Sequence, residues 1–285
     1  MKSKSLNSSM IDDQEAQDAQ IYADTFDAMG YADPNPMFIT QRYKGYTQEN
    51  QETWTTLYDR QMDYLEKYAS DVYLEGASAI NLVREHIPYL EGPQSINTYL
   101  YDLTGWQSKA VPGYLPAKAF FACLAERCFP TTIVIRPKEQ IDYLPEPDIF
   151  HDVFGHVPLH ADPIFAEFLQ SYGRAALLTN DPVKLTELAR LFWFTVEFGL
   201  IYKNGALKLY GSGLISSPGE SKYALEHSDV DRRPFNLEEI CRTEFKIDRY
   251  QPILYVLDSF EELRDAMNTY AATLMCSSAH QAQIG

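Results

Sequence analysis

Two histidines and one glutamate stand out as side chains that could hold a metal ion. His151 and His156 lie in the segment PEPDIFHDVFGHVPLH, and Glu197 interrupts the apolar run LFWFTVEFGLI. A buried carboxylate is costly unless a metal, a cation or strong donors accompany it, so the alternative is a salt bridge to Arg174 or Arg190. Two imidazoles and one carboxylate are the ligand set of non-haem Fe(II) sites that keep positions open for oxygen. The same ligand types also fit Mn or a hydrolytic Zn.

The spacing of the two histidines predicts an irregular helix. In a regular α-helix, residues five apart point roughly 140° away from each other. Gly155 and Pro158 therefore predict that the helix ends between His151 and His156, which would let the second imidazole turn toward the first. The pattern is not the HExxH of zinc proteases, and histidines with ordinary hydrogen-bonding roles remain an alternative.

Further polar residues near these ligands could bind a substrate or a cofactor. Arg136 follows the β-branched run TTIVI, and its guanidinium suits a bidentate grip on a substrate carboxylate. An ion pair with Glu146 or Asp148 is equally compatible with its position. Asp148 and Asp152 flank the first histidine, so they could orient it or bind a polar cofactor group. Ser216 could support a metal ligand or only form a turn.

The elements that must position these residues are predicted to be mostly helical. Capping residues and helical spacing predict helices that begin near residues 47, 70, 96, 116, 181 and 259. The fifth of these is predicted to reach Lys203, and the last to end near Leu274. Residues 131–135 are predicted as a short β segment, 105–116 as a loop, and 205–220 as a glycine-rich stretch with two β-like pieces. The sequence therefore predicts a single, mainly α domain with a few short β-strands.

Composition argues against several classes of partner. The chain has 24 Lys and Arg against 40 Asp and Glu, a formal net charge of −16 that disfavours nucleic acid and anionic membranes. No apolar run approaches the roughly 20 residues of a membrane span, and the polar start does not read as a signal peptide. The four cysteines form no CxxC pair. We therefore expect a cytoplasmic protein with reduced cysteines.

Four segments together resemble a known family. PEPDIFHDVFGHVPL, FWFTVEFGL, KLYGSGLISSPGE and YQPILYVLDSFEEL are similar, in this order, to the pterin-dependent aromatic amino acid hydroxylases, and most of all to the bacterial phenylalanine 4-hydroxylases. The similarity runs from about Tyr46 to Ala271. It implies that family's catalytic domain, which we expect over residues 21–275, after a disordered tail (1–20) and before a short C-terminal tail (276–285).

The resemblance implies a role for individual residues. His151, His156 and Glu197 would bind Fe(II) and carry the catalysis. The tetrahydropterin cofactor would contact Gly113, Tyr114, Leu115, Phe120 and Asp152. Phe120 would stack on the pterin ring, and Asp152 stands where the family often has Glu. The substrate pocket would contain Arg136, Pro147, Trp193, Phe198, Gly213 and Ser216, with Arg136 on the amino acid carboxylate and Ser216 also supporting an iron-binding histidine.

The activity implied is hydroxylation of L-phenylalanine to L-tyrosine with O2 and a tetrahydrobiopterin-like cofactor. Ile247 stands where the tyrosine-specific branch has an acidic residue, which favours phenylalanine. A shift of one residue would place Asp248 there instead, so tyrosine or tryptophan hydroxylation is the alternative, and a Zn-dependent hydrolase a more distant one. Because the C-terminus lacks a heptad helix, we expect a monomer or a weak homodimer.

Overall fold

Helices make up most of the part of the chain that the structure describes. This structure is a computed structural model, and it describes residues 37–113, 115–142, 147–247 and 249–282, with only the backbone from 276 onward. The α-helices are α1 (Gln48–Tyr68), α2 (Asp71–Ala79), α3 (Ile96–Thr104), α4 (Ala117–Ala125), α5 (Pro163–Leu177), α6 (Pro182–Phe192), α7 (Ser212–Ser216), α8 (Pro218–Glu226), α9 (Leu237–Arg242) and α10 (Phe260–Ala282). The strands are β1 (Gln107–Val111), β2 (Cys128–Thr132), β3 (Leu200–Lys203), β4 (Ala206–Leu209), β5 (Asp231–Pro234) and β6 (Ile253–Leu257).

Two segments are π-helices, in which backbone hydrogen bonds join residues five apart. They are π1 (Phe150–His156) and π2 (Trp193–Glu197). Short 3-10 turns occur at Tyr43–Gly45, Lys138–Gln140 and Val157–Ala161. The prediction of a mainly α domain with few strands is confirmed.

Capping residues set the helix starts, as the sequence predicts. At α1, the Thr47 hydroxyl accepts from the Asn50 N–H at 3.2 Å, and the Asn50 side chain accepts from the Thr47 N–H at 2.9 Å. Ser70 caps α2, and Asp181 caps α6 with Pro182 in its first turn. The Ser259 hydroxyl accepts from the Glu262 N–H at 3.3 Å, but α10 continues to Ala282 instead of ending near Leu274.

The strands form two small sheets. β1 and β2 pair in parallel, and a second sheet has the order β4-β3-β6-β5. The predicted loop at 105–116 is wrong in its middle, because pairing with β2 makes residues 107–111 a strand. The β segment predicted at 131–135 begins earlier, at Cys128, and includes Pro130. A proline is tolerated there because each strand of a two-stranded sheet is an edge strand.

The helix predicted to run to Lys203 ends sooner. α6 stops at Phe192, π2 follows, and the chain then enters β3, which pairs with β4 and β6. The apolar run fits a helix and a buried strand equally well, so pairing within the sheet decides between them. As a result, Glu197 lies at the end of a π-helix, just before the chain turns into the central sheet.

The part of the core that supports π1 lies between π1, α1 and α2. Trp54 is fully buried and meets the Phe150 ring edge-on at 5.4 Å, and Phe150 stacks on Phe154 at 4.5 Å. The Tyr73 hydroxyl donates to the Phe154 carbonyl at 2.9 Å. These contacts anchor one face of π1 in the core. No helix in the described ranges combines the length and apolar character of a membrane span.

Candidate metal centre and its surroundings

The two histidines meet because π1 stacks residues five apart. The His151 and His156 Nε2 atoms lie 3.1 Å from each other. The predicted helix end between them is wrong: both belong to π1, and i to i+5 bonding brings onto one face residues that an α-helix would separate. Gly155 therefore does not break the helix. A Cβ there would lie 3.0 Å from the Ser212 carbonyl oxygen, so the glycine allows α7 to approach.

Glu197 completes the group from the end of π2. The Phe198 N–H donates to the Trp193 carbonyl at 2.9 Å, which closes the π turn that carries the glutamate. Its Oε1 lies 3.3 Å from His156 Nε2, and its Oε2 lies 3.7 Å from His151 Nε2. Three side chains from two π-helices thus converge on one point. His151, His156 and Glu197 are therefore the candidate ligand set.

The protonation states of these groups suit a divalent metal. Burial lowers the pKa of His151 to about 4, so this imidazole is neutral at pH 7. Burial alone would raise the pKa of Glu197, but the contacts with His156, His151 and Ser212 together lower it to about 2. Metal ligands at right angles and about 2.1 Å from an ion lie roughly 3 Å apart. Two imidazole nitrogens and a carboxylate separated by 3.1–3.7 Å therefore fit one Fe(II) ion.

Ser216 fixes the tautomer of His151. Its hydroxyl donates to the Ser212 carbonyl at 2.8 Å and lies 2.8 Å from His151 Nδ1. Because the single hydroxyl proton is committed to the carbonyl, Nδ1 must carry the proton that joins it to Ser216. This leaves the lone pair of Nε2 facing the other two ligands. The arrangement agrees with the predicted support of a ligand by Ser216.

Asp152 lies next to the histidines, but its carboxylate is hydrogen-bonded to Thr132. One Asp152 oxygen and one nitrogen each of His151 and His156 all lie within 4.8 Å of one another. However, Oδ2 accepts from both the N–H and the hydroxyl of Thr132, each at 2.7 Å. Among the described residues, Glu197 accepts only from the Ser212 hydroxyl and only at Oε2, so it is the better candidate for the third ligand position. Burial raises the pKa of Asp152 to about 7.

Arg136 is paired with Asp148, one of the two ion-pair partners considered from the sequence. Its Nε and Nη2 donate to the two Asp148 oxygens at 2.8 and 3.0 Å, and its guanidinium lies 5.9 Å from the centre of the Phe150 ring. The Asp148 carboxylate also accepts from the His151 N–H at 3.0 Å. The ion pair and a substrate role are compatible, since Nη1 has no partner among the described residues.

Three of the residues predicted for the substrate pocket, Trp193, Phe198 and Gly213, lie together at the turn that carries Glu197. The rings of Trp193 and Phe198 lie 4.6 Å apart, and a Cβ on Gly213 would lie 3.0 Å from the Phe198 ring. Phe245 stacks on the outer side of Trp193 at 4.4 Å. Pro147 is exposed at the edge of the described chain.

Phe120, which is predicted to stack on the pterin, is connected to His156 through the ring of Phe192. Phe120, on α4, meets Phe192 edge-on at 5.7 Å, and Phe192 lies 6.5 Å from the His156 ring. Gly113 and Leu115 belong to the connection between β1 and α4, and Tyr114 lies outside the described residues.

Sequence reasoning missed three residues of this centre. Phe129 packs 4.7 Å from the His156 ring, Thr132 holds Asp152, and the Ser212 hydroxyl donates to Glu197 Oε2 at 2.8 Å. The first two depend on the position of β2, which the sequence misplaced. Ser212 had a usable signal, since it precedes Ser216 by four residues and so shares its side of a helix.

Comparison with known proteins agrees with this geometry. A sequence profile described as the biopterin-dependent aromatic amino acid hydroxylase family matches residues 25–280. A phenylalanine-4-hydroxylase of Ralstonia nicotianae is 46% identical over 221 residues, which cover 78% of this chain and 70% of that protein. One of Caulobacter vibrioides is 44% identical over 227 residues, covering 80% and 76%.

A solved structure extends the likeness to the whole fold. The crystal structure of Chromobacterium violaceum phenylalanine hydroxylase with iron(III) and oxidised 7,8-dihydrobiopterin superposes with a TM-score of 0.82 and 37% identity, covering 91% of this chain and 92% of that one. With two histidines and one glutamate within 3.1–3.7 Å of one another, and with a family profile that matches most of its length, this chain belongs to the biopterin-dependent aromatic amino acid hydroxylases.

Proposed function

We propose that this protein hydroxylates L-phenylalanine to L-tyrosine, using O2 and a tetrahydropterin at a non-haem Fe(II) site. The observation that carries the proposal is the convergence of His151, His156 and Glu197 within 3.1–3.7 Å. Three ligands on one side of an ion leave positions for exchange and oxygen chemistry. The curated relatives, which are phenylalanine-4-hydroxylases, support phenylalanine as the substrate.

The protein's own contribution is to bind and orient the reactants. When bound, Fe(II) and the reduced pterin supply the electrons that activate O2. Arg136, held by Asp148, presents Nη1 to the carboxylate of the amino acid. Trp193 and Phe198 form an apolar wall beside Glu197 that positions the aromatic ring and excludes water.

The cofactor is proposed to bind on the other side of the histidines. Phe120 offers a half-buried aromatic face for the pterin ring, and Gly113 and Leu115 line the connection that leads to it. Asp152 points a carboxylate into the same region but holds Thr132 with one oxygen. The remaining oxygen is available for a polar group of the pterin.

Substrate choice within the family rests on the loop before β6. Ile247, an apolar residue, stands where the tyrosine-specific branch of the family has an acidic residue, which favours phenylalanine as the substrate; its side chain is 72% exposed. Asp248, the other residue that could occupy this position, lies outside the described residues. Tyrosine and tryptophan are therefore alternative substrates that the experiment below must test. A zinc-dependent hydrolase finds no support among the relatives.

The test begins with metal-free protein loaded anaerobically with Fe(II). We expect tyrosine to form when O2, tetrahydropterin and phenylalanine are all present, and not when any one is omitted. Parallel reactions with tyrosine and tryptophan measure selectivity through kcat/KM. Absence of hydroxylated product from all three amino acids, or equal activity of zinc-loaded protein without pterin, would overturn the proposal.

Three further properties are part of the proposal. We propose a catalytic domain over residues 21–275, action as a monomer or weak homodimer, and a cytoplasmic location. Buried, free cysteines at positions 123, 128 and 241 support a reducing compartment. Analytical ultracentrifugation across a concentration series tests the assembly state.

A further inference from the structure

Ser212 makes a hydrogen bond to Glu197, one of the three proposed metal ligands. Its side chain is buried, with 1% exposure, and its hydroxyl lies 2.8 Å from Glu197 Oε2 and 3.1 Å from the Val196 carbonyl oxygen. A hydroxyl has one proton to donate, and a carboxylate is the stronger and here the nearer acceptor. The Ser212 hydroxyl therefore donates its hydrogen bond to Glu197 Oε2.

The two oxygens of Glu197 are consequently in different environments. Oε2 accepts from Ser212, whereas Oε1 is the oxygen closest to an imidazole, 3.3 Å from His156 Nε2. A carboxylate can bind a metal through one oxygen or through both. A hydrogen bond that occupies one oxygen and fixes the side-chain rotamer favours binding through the other.

The backbone keeps Ser212 in this place. It opens α7 directly after Gly211, where an added Cβ would overlap the Glu197 carbonyl oxygen and the Gly199 nitrogen. Gly155 of π1 packs against Ser212 from the opposite side. Two glycines thus allow α7 to fit between the histidine helix and the glutamate turn.

The same short helix also holds a second ligand. Ser216 lies one turn after Ser212 and bonds His151 Nδ1, and its hydroxyl donates to the Ser212 carbonyl oxygen. α7 therefore fixes one imidazole and the carboxylate together. A displacement of the helix would move both ligands at once.

We propose that Ser212 is a positioning residue that reserves Glu197 Oε1 for the metal and thereby favours coordination through a single carboxylate oxygen. This inference rests on the proposed iron site and adds the orientation of its carboxylate. Loss of the hydroxyl would free Oε2 to approach the metal or to rotate away. Hydrogen-bonded partners of metal ligands commonly change metal affinity by about 10- to 100-fold.

The experiment compares Ser212→Ala with Ser221→Ala, using Co(II) as the metal probe. Ser221 is a matched control because it is also fully buried and its hydroxyl lies within hydrogen-bond distance of the Leu214 and Ser217 carbonyl oxygens, not of a proposed metal ligand. We expect Ser212→Ala to release Co(II) to a chelator about tenfold faster than wild type. Its Co(II) absorption spectrum should also change in the visible region, whereas Ser221→Ala should keep the wild-type release rate and spectrum.

A crystal structure of the Co(II)-loaded wild type gives an independent readout that needs no variant. One Glu197 oxygen within bonding distance of cobalt supports the inference, and two overturn it. Equal release rates and spectra for Ser212→Ala and wild type would also overturn it. If wild type binds no cobalt or iron, the proposed function itself fails. Normal loading with an unchanged Ser212→Ala variant refutes only the role of Ser212.

Discussion

Asp148 joins Arg136, the proposed carboxylate-binding residue, to π1, which carries the two histidines. Its carboxylate accepts hydrogen bonds from Arg136 Nε at 2.8 Å and Nη2 at 3.0 Å. It also accepts from the backbone N–H of His151 at 3.0 Å. The Asp148 side chain is 1% exposed and that of Arg136 10% exposed. One buried carboxylate therefore orients the proposed carboxylate-binding residue and the start of π1.

Replacing Asp148 with Asn should raise KM for phenylalanine and destabilise the fold. Removing one partner of a buried ion pair leaves an uncompensated charge, a loss on the order of 3 kcal/mol. Urea unfolding and steady-state kinetics measure the two effects. As a control, Asp142→Asn removes the exposed partner of Arg60 and should cost less than about 1 kcal/mol. Unchanged KM and stability in Asp148→Asn would contradict this role.

Substitution of a ligand should remove iron and leave the fold intact. Glu197→Gln loses the negative charge, and His151→Ala loses a nitrogen, so either variant should fall from about one bound iron per chain to nearly none. Elemental analysis gives the iron content, and circular dichroism checks the fold. His227→Ala is the control, since that side chain is 48% exposed and should not affect iron. Full iron content in either ligand variant would refute the assignment.

The pH dependence of stability should reveal the buried Asp152. Burial raises its pKa to about 7, compared with about 3.9 in an unfolded chain. Between these values the folded state binds more protons, so the contribution of Asp152 to the unfolding free energy falls as pH rises from about 4 to 7. Asp152→Asn removes this titration.

Urea unfolding of the metal-free proteins at pH 5 and pH 8 tests this. The stability of Asp152→Asn relative to wild type should be higher at pH 8 than at pH 5. Asp63→Asn, at an exposed site, should show the same difference from wild type at both pH values. A pH-independent difference for Asp152→Asn would show that the residue does not titrate in this range.

A methyl group at Gly211 should separate α7 from the metal ligands. The added Cβ would overlap backbone atoms of Glu197 and Gly199, which cannot yield as a flexible side chain would. Gly211→Ala should cost about 1–3 kcal/mol of stability and weaken metal binding. Gly45→Ala is the control, since nothing lies within 4 Å of a Cβ at that exposed position. Equal thermal stability and iron content in the two variants would contradict the prediction.

The sequence indicated the candidate metal ligands but not the geometry that joins them. Residue type alone indicated His151, His156 and Glu197, because imidazole and carboxylate chemistry is a property of the side chains. Rules for an α-helix led to a break near Gly155, whereas the chain forms a π-helix there. Whether a segment takes i to i+5 bonding depends on the packing around it, which no local pattern of residues encodes.

Elements with local determinants were predicted better than those that depend on distant partners. The start of α1 was predicted correctly because Thr47 and Asn50 cap each other within one turn. β1 was read as a loop because its strand character comes from pairing with β2, about twenty residues away. Ser212 was overlooked for the same reason, since its partner Glu197 belongs to a different segment.

The π-helical turn of π1 has a consequence for how tolerant this region is to changes in length. A π turn accommodates one residue more than an α turn, so deleting any residue between His151 and His156 would let the segment relax into an ordinary helix with the histidines four apart. Side chains after the deletion would keep roughly their orientation, because one α turn would replace one π turn, and imidazoles four apart in an α-helix still share a face. We infer that a one-residue deletion inside π1 is tolerated better than one in an α-helical segment, where every following side chain would rotate by about 100°.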